Sequence, residues 1–270
     1  MNRVILNFRW IPLLPVCLAG PGNAQNRQDL PPPKVDEVVE AVTDTAKFDL
    51  DEIEGTVEAF LNAETVTERL KYVRDGERVL PLMKKHYGGE KIEPEGFKSF
   101  EPNAATYRAS LMTAKVETGD YSTLIIAVER VVVEVIGEDE VVYKVDWESW
   151  VGFCEMSVED MRRAQPTEPV LLRALVSSDS YYNFSFNDDE KWDSYRLLFR
   201  NSDETLSGYV KVGSEASKQL ADLRRANERI TYTLKVVYPT DGRSKSQVKI
   251  VEVVQRGWVI EMWEEKKDGK

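Results

Sequence analysis

The spacing of hydrophobic residues changes once along the chain, from a helical repeat to a strand repeat. Ile53, Val57, Phe60 and Leu61 fall on one face of a helix. From Ala104 the sequence alternates, and the run "STLIIAVERVVVEVI" that follows is nearly continuous and β-branched. Alternation indicates a strand with one buried face, and a continuous run indicates a strand covered on both faces. The change therefore predicts an α+β protein whose helices come first.

Three short N-terminal helices are expected before the change. The first carries the stripe just described, the second begins at a capping box that opens at Thr65, and the third extends from Asp75 to Gly88. Pro81 lies inside the third helix, where a kink is expected. Three strands then form an antiparallel meander, and the last of them is the return strand "VVYKVDWESWVGF" over residues 141–153.

A second pattern begins after Pro166, where the short helix "SVEDMRRA" has ended. Three strands, one helix ("GSEASKQLADLRR") and further strands ("ITYTLKVVY", "QVKIVEVV" and "GWVIEMW") follow in that order. This order predicts a small, mostly-β module with one helix. We divide the folded chain into a first module at 48–165 and a second at 166–263, with a disordered tail at 264–270.

The N-terminus has the layout of an export signal. Arg3 and Arg9 precede the short apolar run "WIPLLPVCLAG", and the small residues Gly22 and Ala24 follow it. We expect residues 1–24 to be a signal peptide cleaved near Ala24, residues 25–47 to be a Pro-rich linker, and the protein to be exported to the periplasm or the extracellular space. The alternatives are a disordered or membrane-touching N-terminus and a lipid anchor at Cys17.

Charge and cysteine content exclude several functions. The formal net charge is −11, so the chain repels phosphate backbones, and a nucleic-acid partner is not expected. Cleavage would leave Cys154 as a single cysteine without an internal disulfide, and we expect it to be a small buried hydrophobe. No run approaches the roughly 20 apolar residues of a transmembrane helix.

Two tryptophans and two carboxylates lie close together in "VDWESWVGF". If residues 141–153 form a strand, Asp146 and Glu148 share a face, roughly 7 Å apart, a separation seen in inverting glycosidases. They are our candidate catalytic residues, and Trp150 on the same face is a candidate ligand-binding residue. The alternative is a mixed-polarity sheet face without a site. In either case we expect Trp147 to be buried and the two carboxylates to be more exposed.

The most aromatic stretch, "DSYYNFSFNDDEKWDSYRLLF", supplies the other ligand-binding candidates: Tyr181, Tyr182 and Trp192. The alternative is that its aromatic side chains fill a small barrel. Its acidic residues do not match the spacing of an EF-hand, and His86 is the only histidine, which excludes a site with several histidine ligands. We expect no metal and no cofactor.

Helices followed by a curved antiparallel sheet resemble the nuclear transport factor 2-like cone, also called cystatin-like or SnoaL-like, over residues 50–155. The segment "FLNAETVTERLKYVRDGERVLPLMKKHY" is similar to its helical half. The order of elements after Pro166 resembles an OB-like barrel. The stretches "DWE…VG" and "YYNF" are also similar to those of uncharacterised exported bacterial proteins. These resemblances imply a fold and no catalytic residue.

These patterns favour an exported, non-catalytic binding or assembly protein of the cell envelope. Its partner would be an envelope protein or a small ligand, and a homodimer through the sheet is a further expectation. The alternative is a carboxylate-dependent hydrolase or isomerase with Asp146 and Glu148 at the mouth of the cone. A closed pocket with a raised carboxyl pKa would favour the enzyme.

Overall fold

A computed structural model describes residues 48–108, 110–135, 138–200, 202–226, 228–241 and 243–260, without the side chains of residues 104–108 and 224–226. The predicted α+β class is confirmed. The predicted signal peptide, linker and C-terminal tail lie outside the described residues.

The helices at the start of the described chain are α1 (Leu50–Asn62), α2 (Val66–Leu70) and α3 (Gly76–Tyr87). The Asp49 carboxylate accepts the first free N–H groups of α1, and the Thr65 hydroxyl accepts the Glu68 N–H of α2 at 3.1 Å. α3 continues through Pro81 and ends at Gly88, which adopts a left-handed conformation (φ 71°).

A curled antiparallel sheet packs against these helices. Its strands are β1 (Phe97–Arg108), β2 (Leu111–Thr118), β3 (Thr123–Val135) and β4 (Glu138–Val145), paired in that order. The prediction of one strand beginning at Ala104 was wrong, because Ala104 lies within β1, and β1 pairs with β2 as a separate antiparallel strand in which Arg108 lies opposite Leu111. Met112, Ala114 and Val116 alternate with more exposed neighbours on β2, and they pack with Ile126 and Val128 of β3 and with α1 and α3 in one buried cluster.

The helices after the sheet are α4 (Trp147–Val151) and α5 (Val158–Ala164), and a closed barrel follows. The barrel strands are β5 (Val170–Asp179), β6 (Trp192–Phe199), β7 (Ser202–Lys211), β8 (Arg229–Val237) and β9 (Gln247–Arg256), in the spatial order β5-β6-β7-β9-β8. Only the β7–β9 pair is parallel among these described strands. The barrel encloses its own buried cluster, distinct from that of the sheet.

Two predictions for this part of the chain were wrong. The single helix expected between β7 and β8 is two short helices, α6 (Glu215–Gln219) and α7 (Ala221–Ala226), because Leu220 leaves helical geometry (φ −94°, ψ 2°). The strand expected in "GWVIEMW" is absent from residues 257–260, where β9 has ended at Arg256 and Gly257 adopts a positive φ of 106°. Residues 261–263 lie outside the described chain.

Residues 257–260 instead run between the barrel and the sheet. The Trp258 indole N–H donates to the Ala174 carbonyl on β5 at 3.2 Å, and the Trp258 carbonyl accepts from Arg173 Nε at 2.7 Å. The Ile260 carbonyl accepts from Arg74 at 2.8 Å, beside the sheet. This segment therefore contacts both parts of the molecule.

Barrel packing is tested by Gly208→Ala. An added Cβ would lie 2.9 Å from Ile250 Cδ1 and 3.1 Å from Leu197 Cδ1, both in the barrel core, so we expect a loss of about 1–2 kcal/mol in the free energy of unfolding. The control, Gly55→Ala on the exposed face of α1, meets no atom within 4 Å and should gain about 0.5–1 kcal/mol. Urea denaturation of both variants measures the difference, and equal effects would contradict the described barrel core.

Candidate functional site

Residues 146–152 form a capped helical turn, so the predicted strand over 141–153 was wrong after Val145. Asp146 Oδ1 accepts the Ser149 N–H at 2.6 Å and begins α4. Gly152 ends the helix in a left-handed conformation (φ 61°), with the Phe153 N–H donating to the Glu148 carbonyl at 2.8 Å. The signal that could have revealed the turn is an Asp three residues before a Ser, with a Gly soon after them.

The turn places Asp146 inside the protein. Its side chain is 1% exposed, so the expectation of an exposed carboxylate was wrong. Oδ2 forms an ion pair with Arg74, which also donates to the Ile260 carbonyl at 2.8 Å and lies 3.5 Å from Glu129. Because a buried carboxylate is costly unless it is paired, this arginine is required for Asp146 to remain in the interior.

Glu148 is engaged by different arginines. Its Oε2 accepts from Arg78 Nη2 at 2.6 Å, and its Oε1 lies 4.0 Å from Arg173 Nη1. Burial is the largest single influence and raises the pKa of the Glu148 carboxyl, but the Arg78 hydrogen bond and the charges of Arg173, Arg78 and Arg74 together outweigh it and lower that pKa. A general acid needs the opposite shift, so this arrangement suits an ion pair better than proton transfer.

Both tryptophans of the segment are buried. Trp147 is buried as predicted, and its indole N–H donates to the Tyr87 hydroxyl at 3.0 Å. Trp150, a predicted ligand-binding residue, is 1% exposed, and its indole N–H lies 3.2 Å from both carboxylate oxygens of Glu95. The Arg200 guanidinium covers its ring at 4.9 Å. The Trp150 side chain is therefore surrounded by protein.

The other three predicted ligand-binding residues lie together at one end of the barrel. Tyr181 is 47% exposed, and its carbonyl accepts from the Tyr209 hydroxyl at 2.8 Å. Tyr182 and Trp192 are half-buried. Phe186 stacks on Tyr209 at 4.1 Å and meets Trp192 edge-on at 4.9 Å. The β5–β6 loop thus forms a partly exposed aromatic surface, to which Trp150 does not belong.

Sequence reasoning missed a pocket between the sheet and the barrel. Its volume is about 830 Å³, and its walls are the outer faces of β2 and β3 on one side and of β5, β6 and β8 on the other. The apolar lining includes Leu111, Ile125, Leu198, Phe199 and Trp258. The face of β3 that lines the pocket is opposite the face that packs on the helices. The continuous apolar run of β3 is the sequence signal for it, because such a run predicts a strand with two apolar faces.

The pocket is mostly apolar with a few polar groups. Hydroxyls come from Thr113, Thr123, Ser149 and Thr231, and positive charge comes from Arg200 and Arg256. Ile125 is 53% exposed, so the pocket is open to solvent along the sheet. A concave, largely apolar site of roughly 300–1,000 Å³ with few polar groups is typical of small-molecule binding.

A second cleft, of about 710 Å³, lies on the other side of Phe199 and Arg200. Its lining is mixed in charge and includes His86 and Cys154. Burial raises the pKa of the Cys154 thiol above its ordinary value, and the neighbouring backbone and Arg173 offset this only in part, so the thiol is a poor nucleophile.

Among the described residues, no group of three or more His, Cys, Asp or Glu side chains could hold a metal ion. No helix within those residues is both long enough and apolar enough to cross a membrane.

The Glu148 ion pair predicts a pH dependence. A carboxyl whose folded pKa is lowered stabilises the protein above its unfolded pKa, near 4.5, and this contribution is lost as the pH falls through the folded pKa. Between about pH 5 and pH 3, wild type should lose about 1 kcal/mol more unfolding free energy than Glu148→Gln. Glu140→Gln, an exposed substitution on β4, should match wild type. Identical pH profiles for all three proteins would show that Glu148 is not held as described.

Comparison with known proteins adds no assignment. No model of a known protein family matches the chain, and a search of curated proteins finds no match either. The geometry of the described residues is therefore the basis for the function proposed next.

Proposed function

We propose that this chain is an exported, non-catalytic binding protein of the cell envelope, and that the pocket between sheet and barrel is its ligand site. The observation that carries the proposal is the pocket itself, which is large enough for a small molecule and mostly apolar. Ile125 on its wall is an exposed apolar side chain, and covering such a surface stabilises a complex.

The ion pairing of Asp146 and Glu148 supports binding without catalysis. Asp146 and Glu148 are each paired with their own arginine, and the shift in the Glu148 pKa favours its charged form. A hydrolase or isomerase with these residues as acid and base is the weaker alternative, because the pKa of the Glu148 carboxyl is lowered, whereas a general acid needs a raised one.

Two fold assignments belong to the same proposal. The strand order β5-β6-β7-β9-β8, the parallel β7–β9 pair and the helices between β7 and β8 support an OB-like barrel. The curled sheet packed on helices supports a cone-like first module. The separate buried clusters support two modules, as proposed at 48–165 and 166–263, but Val158 and Met161 of α5 pack in the barrel cluster and therefore favour a boundary before α5 over one at Pro166.

The aromatic surface around Tyr181 and Trp192 is a second candidate binding surface. OB-like barrels often bind extended polymers across their second and third strands and adjacent loops, and this loop follows the first barrel strand. The acidic charge of the chain favours a neutral polymer, such as an oligosaccharide, over a nucleic acid. A homodimer through an open edge of the sheet also stays a proposal, as does an envelope protein as partner.

Binding of the uncharged dye Nile red tests the pocket. The dye's fluorescence should rise and saturate with wild type, and Ile125→Asp should weaken binding by about ten-fold, because it places a charge on the apolar wall. The matched control is Val132→Asp: Val132 lies on the same strand, is 52% exposed and does not line the pocket. Absence of saturable binding, or equal effects of the two substitutions, would contradict the proposal.

A further inference from the structure

The arginines near the joint between sheet and barrel differ in their partners. Most have a carboxylate within 4.0 Å: Arg69 has Glu95, Arg74 has Asp146, and Arg78 and Arg173 share Glu148. Arg200 is different, since no carboxylate of the described chain forms an ion pair with it. A partly buried cation without an anion is a costly arrangement unless something else neutralises it.

Contacts with Trp150 fix the position of the Arg200 guanidinium. It follows the end of β6, its guanidinium lies 4.9 Å from the centre of the Trp150 ring, and Nη1 donates to the Trp150 carbonyl. Burial lowers the pKa of Arg200, and the charge of Glu95 raises it in part, without a direct ion pair. The guanidinium has five N–H donors, and among the described residues one of them is used in this hydrogen bond, which leaves donors for an anion.

The same side chain lines the pocket between sheet and barrel. Leu198 and Phe199 precede it on β6, and Trp258 and Ile125 complete an apolar wall around it. Two arginines line the pocket, but Arg256 is exposed at 62% and has Asp222 3.9 Å away, whereas Arg200 is partly buried beside the apolar surface. Arg200 and that surface are complementary to a molecule with one anionic group and one apolar chain. The lining hydroxyls of Thr113 and Ser149 add only neutral polarity.

We propose that the pocket binds a long-chain carboxylate, with the carboxylate on Arg200 and the hydrocarbon chain along Ile125, Leu198 and Trp258. This inference rests on the proposed function, because it names the chemical class of ligand for the same pocket. It goes beyond that proposal because it requires the ligand to carry an anionic group that binds Arg200. Charge-assisted hydrogen bonds from a partly desolvated guanidinium are the physical source of the preference.

Displacement of Nile red by palmitate and by cetyl alcohol, which has the same chain length and no charge, tests the inference. With wild type, palmitate should displace the dye at a concentration at least about ten-fold lower than cetyl alcohol does. Arg200→Gln should bring the two concentrations to within about two-fold of each other, whereas Arg200→Lys should retain most of the preference because it keeps the charge.

A second arginine provides the matched control. The control is Arg196→Gln: Arg196 lies on the same strand as Leu198, is exposed at 60%, lies 3.8 Å from Asp179 and does not line the pocket, so this change should leave the preference for palmitate unchanged. Melting temperatures of all variants establish that each is folded. The ratio between the two competitors is measured within one protein, so a general loss of stability does not move it.

The outcomes separate the two proposals. Equal displacement by palmitate and cetyl alcohol in wild type would overturn the carboxylate inference and leave the pocket as an apolar binding site. Loss of the preference in Arg196→Gln as well as in Arg200→Gln would also overturn it, because the effect would then not be specific to Arg200. Failure of Nile red to bind at all would overturn both proposals.

Discussion

Buried arginines joined to backbone carbonyls and carboxylates hold the sheet and the barrel together. Arg173 projects from the outer face of β5, is fully buried, and donates to the carbonyls of Phe153 at 2.9 Å and Trp258 at 2.7 Å. Arg74 joins Asp146 to the Ile260 carbonyl in the same region. Because charges of this kind are stable in the interior only when they are partnered, α4 and residues 257–260 must both be in place around them.

The pairing of these buried arginines bears on the ligand-binding function proposed above. The two carboxylates that are candidate catalytic residues in the sequence are ion-paired in the structure, Asp146 with Arg74 and Glu148 with Arg78 and Arg173. The joint also spaces the outer face of β2 and β3 from the barrel, and the apolar pocket lies in that space. Within the described part of the chain no carboxylate forms an ion pair with Arg200, which is why we assign the anionic end of a ligand to it.

Local signals in the sequence predicted local structure well. The Thr65 cap and the Gly88 end of α3 were read correctly, because each depends on residues within one turn of the helix. The burial of Trp147 was also predicted, although from a wrong strand assignment. Asp146 was misplaced because alternation was extended past Val145, over residues whose cap and glycine signals indicate a helical turn.

The pocket and the arginine pairs could not be predicted, because they depend on contacts between residues far apart in the chain. Arg173 meets Trp258, and Arg200 meets Trp150, and no periodicity relates the members of either pair. Tyr181, Tyr182 and Trp192 were named from the sequence because they are close together in the chain, and their role in ligand binding stays a prediction. Trp150 was assigned to a ligand cleft because the same wrong strand placed it beside the carboxylates.

A double-mutant cycle between Arg74 and Asp146 tests most directly whether these carboxylates serve the joint. Arg74→Met, Asp146→Asn and the double variant would be compared by the free energy of unfolding in urea. We predict that each single substitution costs about 3 kcal/mol, and that the double variant loses less than their sum by about 1.5–3 kcal/mol, because each single change leaves a buried group without its partner. Additive losses, to within about 0.5 kcal/mol, would contradict the account.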